Sequence, residues 1–251
     1  MFKKVVCFIS IFLIFGCKSK NENEDIIIPA EESYTKAIKL FQEGHYKDAS
    51  EYFGKIYFQH PGGELTPYAE LMEAYCLYNA RQYQDSVDVL DNFILIHPTH
   101  KDIAYAYYLK GLDYYMQISD VHHDQKITQK TKDIFEELIS RFPDTKYALD
   151  ASIKIDLVND HLAGKEMEIG RYYQFRSNPV GAIDRFQSII DNYQTTTHTP
   201  EALYRLVESF TILGLNNEAN KYASVLKHNY PESNWYKYAK NLITTTNIKK
   251  E

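Results

Sequence analysis

Tyr46-Lys47-Asp48-Ala49-Ser50-Glu51-Tyr52-Phe53-Gly54-Lys55-Ile56-Tyr57-Phe58-Gln59-His60-Pro61 decides the fold, because its frame returns 37 residues later. Tyr83 answers Tyr46, Ser86 answers Ala49, Leu90 answers Phe53 and Pro98 answers Pro61. The frame recurs as Gly214, Ala219, Ala223 and Pro231, which match Gly44, Ala49, Phe53 and Pro61. Between these stretches, Phe135 and Pro143 repeat the Phe53–Pro61 spacing, and Ala182, Phe186 and Gln194 repeat Ala49, Phe53 and Pro61. Five units result, stepping 37, 45, 51 and 37 residues.

A small residue followed one turn later by a large apolar one lets two helices approach and fills the groove between them. Proline then ends the second helix, since it has no amide to donate. Each helix pair leaves one face apolar, so stacking buries a continuous core. The pattern resembles the tetratricopeptide repeat, nominally about 34 residues long. The expected fold is all-α: a tetratricopeptide-repeat superhelical solenoid of five helix-turn-helix units plus a C-terminal helix. Units three and four depart from the frame. An insertion around Ser119 to Thr131 lengthens the turn of unit three, and unit four has Gln194 in place of proline. The run from Lys146 to Arg176 has no proline and reads as one helix of about 45 Å, with Gly164 and Gly170 as candidate bends. Residues 33–145 are expected to hold repeats one to three, and residues 146–251 repeats four and five with the final helix.

Composition agrees with a helical reading. The 251 residues include only 10 Gly and 8 Pro, too few for many short strands joined by turns. Against 34 acidic residues stand 28 basic ones, which provides no electrostatic footprint for nucleic acid. Tyrosine is the surplus, at 22 residues.

The N-terminus carries an address. Lys3 and Lys4 precede the apolar stretch Val5 to Phe15, which is too short to span a hydrocarbon core about 30 Å thick and reads as a secretory signal. Leu13-Ile14-Phe15-Gly16-Cys17 followed by Lys18-Ser19-Lys20 resembles a bacterial lipobox, with Phe15 bulkier than usual. Residues 1–16 are therefore the expected signal peptide, Cys17 the expected lipidation site, and residues 17–32 a lipidated, polar tether. The alternative is an ordinary signal peptide with an incidental Cys17. A covalent lipid on Cys17 implies membrane attachment by the lipid anchor, and Lys18 resembles outer-membrane sorting. Several acyl chains on one cysteine hold stably, whereas a single chain holds marginally. Once Cys7 leaves with the signal and Cys17 is lipidated, Cys76 stands alone, so no disulfide framework is expected.

No catalytic constellation is present: there is no GxSxG, P-loop, CxxC or HExxH motif. No enzyme activity, cofactor or metal is expected. Asp120-Val121-His122-His123-Asp124 is the one cluster that suggests a metal, against a solvated turn, and an enzyme or metal protein built on His122 and His123 is the reading from another class. The tyrosines are more informative. Tyr68, Tyr75 and Tyr78 share a helical face, as do Tyr105, Tyr108, Leu112 and Tyr115 in the next unit. Rigid aromatics with hydroxyl tips suit an extended or helical peptide; the alternative is packing between helices with the hydroxyls at the surface.

Beyond the repeat, distinctive stretches carry a closer resemblance. They include Phe93-Ile94-Leu95-Ile96-His97-Pro98, Ala104 through Leu112, Leu162-Ala163-Gly164-Lys165-Glu166-Met167, Arg171-Tyr172-Tyr173, Glu201 through Glu208, and Trp235-Tyr236. With the lipobox and five units, the chain from Cys17 to about Ile243 resembles the BamD family, lipoproteins of the outer-membrane β-barrel assembly machinery. That resemblance implies a non-enzymatic subunit, lipid-anchored to the outer membrane and facing the periplasm. It implies binding of the last POTRA domain of BamA by the C-terminal repeats, with other Bam lipoproteins as partners. It also implies binding of unfolded outer membrane β-barrel proteins by the N-terminal repeats. The residues expected to bind substrate peptide are Tyr68, Tyr75, Tyr78, Arg81, His97, Tyr105, Tyr108 and Tyr115. Arg185 and Arg205 are expected to bind the partner, Arg185 as a forked anchor for a carboxylate. The competing reading is another lipid-anchored tetratricopeptide-repeat scaffold of the periplasm, tied to the cell wall or division.

Overall fold

The computed structural model describes residues 27–248. The signal segment, Cys17 and most of the tether lie outside the described residues. Those described form eleven α-helices: α1 (Ala30–Gln42), α2 (Tyr46–Gln59), α3 (Thr66–Asn79), α4 (Tyr83–Ile96), α5 (Ile103–Tyr115), α6 (Lys126–Arg141), α7 (Lys146–Phe175), α8 (Pro179–Asn192), α9 (Thr199–Ile212), α10 (Asn216–Asn229) and α11 (Asn234–Ile248). Each helix packs against the next, and α5 also touches α3 and α7. Five helix pairs and a closing helix make the all-α repeat solenoid that the spacing predicts.

The repeat frame is a burial frame. Ala49, Ser86, Thr131, Ala182 and Ala219 open the second helices at 0–2% exposure. One turn later Phe53, Leu90, Phe135 and Phe186 are fully enclosed, and Ala223 takes the same place. Burying each large side chain contributes about 2 kcal/mol. Two of them face a glycine on the first helix of their pair. A Cβ on Gly111 would come within 2.3 Å of the Phe135 ring, and a Cβ on Gly170 within 2.3 Å of the Phe186 ring. Gly170 thus serves close helix approach, and α7 runs continuously through both Gly164 and Gly170.

Helix ends follow the same logic. The second helices end on His60, His97, Phe142, Tyr193 and Tyr230, whose φ values lie between −119° and −136° with ψ from 42° to 56°. A following proline pushes the preceding residue out of the helical region. Tyr193 adopts that shape before Gln194, so the break survives without proline. The turns inside four of the five pairs use a left-handed residue: Gly44 (φ 81°), Arg81 (φ 60°), Ser177 (φ 56°) and Gly214 (φ 76°).

Two boundaries differ from the sequence expectation. Helix α1 starts at Ala30, inside the stretch read as tether, with Pro29 before it and Glu31 and Glu32 in its first turn. The chain ahead of it is tied down, since Ile28 N–H donates to Gln59 Oε1 at 3.1 Å and its carbonyl meets His60 Nε2 at 2.7 Å. The extra residues of unit three are confined to 116–125, because α6 begins at Lys126 and already contains Thr131. No helix among the described residues is long and apolar enough to cross a membrane.

Candidate binding surface

Stacking the repeats sets the first helices α3, α5 and α7 side by side and aligns their tyrosines. Tyr75, Tyr78, Tyr105, Tyr108 and Tyr115 are all half-buried against one core formed by units two and three. Phe41 of α1 meets Tyr75 at 5.8 Å between ring centroids, and Tyr147 of α7 meets Tyr105 at 5.4 Å and Tyr108 at 5.3 Å. Burial, then the neighbouring phenols of Tyr75 and Tyr147, raise the Tyr105 hydroxyl above the ordinary tyrosine range. Burial also raises Tyr108, followed by its bond to Asp150. The rings are spread over four first helices, with Phe41 against Tyr75 at one end and Tyr147 against Tyr105 and Tyr108 at the other.

The row ends on a charge. Tyr108 Oη donates to Asp150 Oδ2 at 2.5 Å, and Lys154 Nζ reaches the same oxygen at 2.6 Å. These two bonds hold the Asp150 carboxyl below the usual carboxylate range. Tyr115, one turn beyond Leu112, lies 6.4 Å from Phe135.

Three of the residues expected at the site sit elsewhere. Tyr68 stands at the start of α3, stacked edge-on with His100 at 5.6 Å and under Lys101 Nζ at 5.2 Å. His97 Nε2 lies 3.0 Å from Oε2 of Glu70, a carboxylate only 2% exposed that also accepts from Asn92. Burial raises the Glu70 pKa, with His97 opposing it, so His97 is engaged as the internal partner of this carboxylate. Arg81 is exposed at the left-handed position of the α3–α4 turn. Tyr147 and Phe41 belong to the row but were not among the expected residues. The signal for Tyr147 was present, because Tyr147-Ala148 four residues after Pro143 repeats the Tyr105-Ala106 start of α5.

The core beneath the row is unusually acidic. Asp113 is fully buried and burial pushes its carboxyl up to about 8. Ser86 Oγ lies 2.7 Å from Asp113 Oδ2 and 3.0 Å from the Ala74 carbonyl. One hydroxyl proton serves only one of these acceptors, so a protonated Asp113 donates to Ser86 while Ser86 donates to Ala74. Glu73 is pushed up to about 7 by burial and by Glu70, and the Cys76 thiol up to about 12 by burial and by Glu73. A thiol held that high is inert.

The C-terminal half carries a second polar surface. Arg171 makes a forked bond to Glu201 at 3.0 and 2.5 Å, and Arg205 donates to Glu201 at 3.2 Å and to Glu208 at 2.8 Å. Tyr204 Oη donates to Glu208 at 2.6 Å, and Arg205 stacks over Tyr204 and Trp235 at 5.6 and 5.8 Å. Arg185 reaches back from α8 to Glu166 at 3.3 Å and keeps its side chain 43% exposed. On the lengthened turn of unit three, His122 Nδ1 lies 2.7 Å from Glu168 of α7. No group of three or more His, Cys, Asp or Glu side chains among the described residues is placed to hold a metal ion.

Residues 28–226 match the sequence profile of the YfiO family, described as outer membrane lipoprotein. The chain is 60% identical over 228 residues to the outer membrane protein assembly factor BamD of Rickettsia prowazekii (strain Madrid E), covering 91% of each protein. It is 38% identical over 239 residues to the protein of the same name from Caulobacter vibrioides, covering 94% of this chain and 78% of that one. Among solved structures, the TPR2AB domain of yeast Sti1 in its pHSP90 complex aligns at a TM-score of 0.44 with 13% identity, over 88% of this chain and 83% of that one.

Proposed function

The chain belongs to the YfiO outer membrane lipoprotein family, and from that premise we propose that it is a non-enzymatic assembly factor for outer membrane β-barrel proteins. It is held to the periplasmic face of the outer membrane by lipid on Cys17. The tyrosine row of units one to three receives an unfolded barrel segment, and the α7–α11 half receives the last POTRA domain of BamA and other Bam lipoproteins. The observation that carries the substrate half of this reading is the row itself. A dry core needs rings alone, and leucine or phenylalanine would fill it. Half-buried phenols spread over α3, α5 and α7 keep rigid faces and hydroxyls where an extended peptide with aromatic side chains can use both.

Arg185 is the charged anchor of the partner half. Its guanidinium is only loosely held by Glu166, leaving donors for a carboxylate on BamA, whereas Arg205 has its donors spread over Glu201 and Glu208 and acts by shaping the aromatic surface around Trp235. The test is recovery of BamA with the lipidated chain from solubilised envelope. Arg185→Glu is expected to lower recovery at least tenfold. The paired variant Arg185→Glu with Glu166→Arg restores the internal ion pair but not the surface, and is expected to stay defective. Normal recovery with Arg185→Glu, or rescue by the pair, would overturn the role given to Arg185.

A further inference from the structure

Two donors converge on one oxygen of Asp150. Tyr108 Oη of α5 and Lys154 Nζ of α7 both reach Oδ2, at 2.5 and 2.6 Å, while Oδ1 accepts no hydrogen bond among the described residues. The carboxylates of the C-terminal half are used differently. Glu201 takes Arg171 and Arg205 on Oε1 and Arg171 again on Oε2. Glu208 takes Tyr204 on Oε1 and Arg205 on Oε2. Asp150 keeps a whole oxygen open, and Lys154 has three protons of which one is directed at Asp150. The Asp150 side chain is 43% exposed and that of Lys154 23%, so neither group is sealed in the core.

The pair stands where the tyrosines of α5 and α7 meet. Asp150 and Lys154 lie one turn apart on α7, and the Tyr108 ring bonded to Asp150 is 5.3 Å from that of Tyr147. Tyr147 in turn lies 5.4 Å from Tyr105. Because the Tyr108 hydroxyl proton is already committed, polar recognition at this end passes from the phenol to Asp150 and Lys154.

The charges decide what the pair accepts. A carboxylate drawn to Lys154 meets Asp150 beside it, and a lysine or arginine drawn to Asp150 meets Lys154. A neutral group with a donor and an acceptor side by side gains at both. A residue in a strand is such a group, because it turns its own N–H and C=O to the same edge.

We propose that Asp150 and Lys154 read the backbone edge of an extended peptide, Asp150 Oδ1 accepting the N–H of one residue and Lys154 Nζ donating to the C=O of that residue. This role rests on the reading of the tyrosine surface as a peptide site, and adds that an internal peptide unit, not a terminal carboxylate, is held at α7. Both bonds go to main chain, so the contact supplies affinity without regard to the sequence of the segment.

The probe is a fluorescent peptide copied from the last strand of an outer membrane β-barrel and amidated at its C-terminus. Threonine replaces any asparagine or glutamine, so that no side chain carries an amide. Each main-chain amide is N-methylated in turn, and affinity for the full-length protein is read by anisotropy. One position is expected to lose at least fivefold with the parent and less than twofold with Asp150→Ala. Lys154→Met is expected to bind the unmethylated peptide at least threefold more weakly and to keep the penalty at that position. Both variants are expected to melt within a few degrees of the parent. No binding of the peptide by the parent would overturn the peptide reading of the tyrosine surface and this role with it. Parent binding with no sensitive amide, or with the same penalty in Asp150→Ala, would overturn the role of Asp150 alone. Undiminished binding by Lys154→Met would overturn the part given to Lys154.

Discussion

Asp113 shows what a single residue contributes at this site. Its folded pKa of about 8 lies above the unfolded value, about 3.9. Between these values the unfolded chain ionises this carboxyl while the folded one keeps its proton. Stability therefore falls as pH rises from about 4 to 8, and levels off above that window. Glu73, at about 7, acts in the same direction over a narrower range. Asp113→Asn keeps a neutral donor for Ser86 and is expected to melt higher than the parent, with a gap wider at pH 8.5 than at pH 5. A gap that stays the same from pH 5 to pH 8.5 would show that Asp113 ionises as freely in the fold as in the unfolded chain. Ser177 offers a simpler case: left-handed backbone costs a residue with a Cβ about 1 kcal/mol or more, so Ser177→Gly is expected to raise the melting temperature by roughly 2 °C. At this scale the sequence was legible where neighbours are local. The Tyr75–Tyr78 and Tyr105–Tyr108 spacings place those rings correctly, and Arg81 stands two residues before Tyr83 as Gly44 stands two before Tyr46, which marks a turn. The pairing of His97 with Glu70 was not legible, since 27 residues separate them and only the packing of α4 on α3 brings them together.

At the scale of elements, size complementarity between paired helices sets the geometry. Gly170→Ala would place a methyl within 2.3 Å of the Phe186 ring. Overpacking of this kind costs about 1–3 kcal/mol, and Phe186→Leu in the same chain should recover part of it. Thermal melting of both variants checks this, and additive losses would contradict direct contact. The helix pairs were readable because alanine, an aromatic one turn on and proline recur in order. The start of α1 was not, because nothing local separates Ala30–Glu32 from a polar tether; the tie between Ile28 and the end of α2 is a tertiary contact. Gly170 also misled a local reading. A glycine in a long helix suggests a bend, and its use here is visible only from α8.

At the scale of the whole molecule, the proposed division of work falls at α7. N-terminal to it lies a core capped by phenols, and C-terminal to it a surface of arginine–glutamate pairs and tryptophan. The solenoid makes this division possible because each pair contacts only its neighbours, so one half can change without the other. The most direct test of the account is the affinity of the full-length protein for a fluorescent peptide copied from the last strand of an outer membrane β-barrel, ending in an aromatic residue, read by anisotropy. Replacing Tyr75, Tyr78 and Tyr105 together by phenylalanine keeps the rings in the core and removes the hydroxyls. The account predicts an affinity at least tenfold weaker with a melting temperature within a few degrees of the parent; unchanged affinity in the folded triple variant would contradict it.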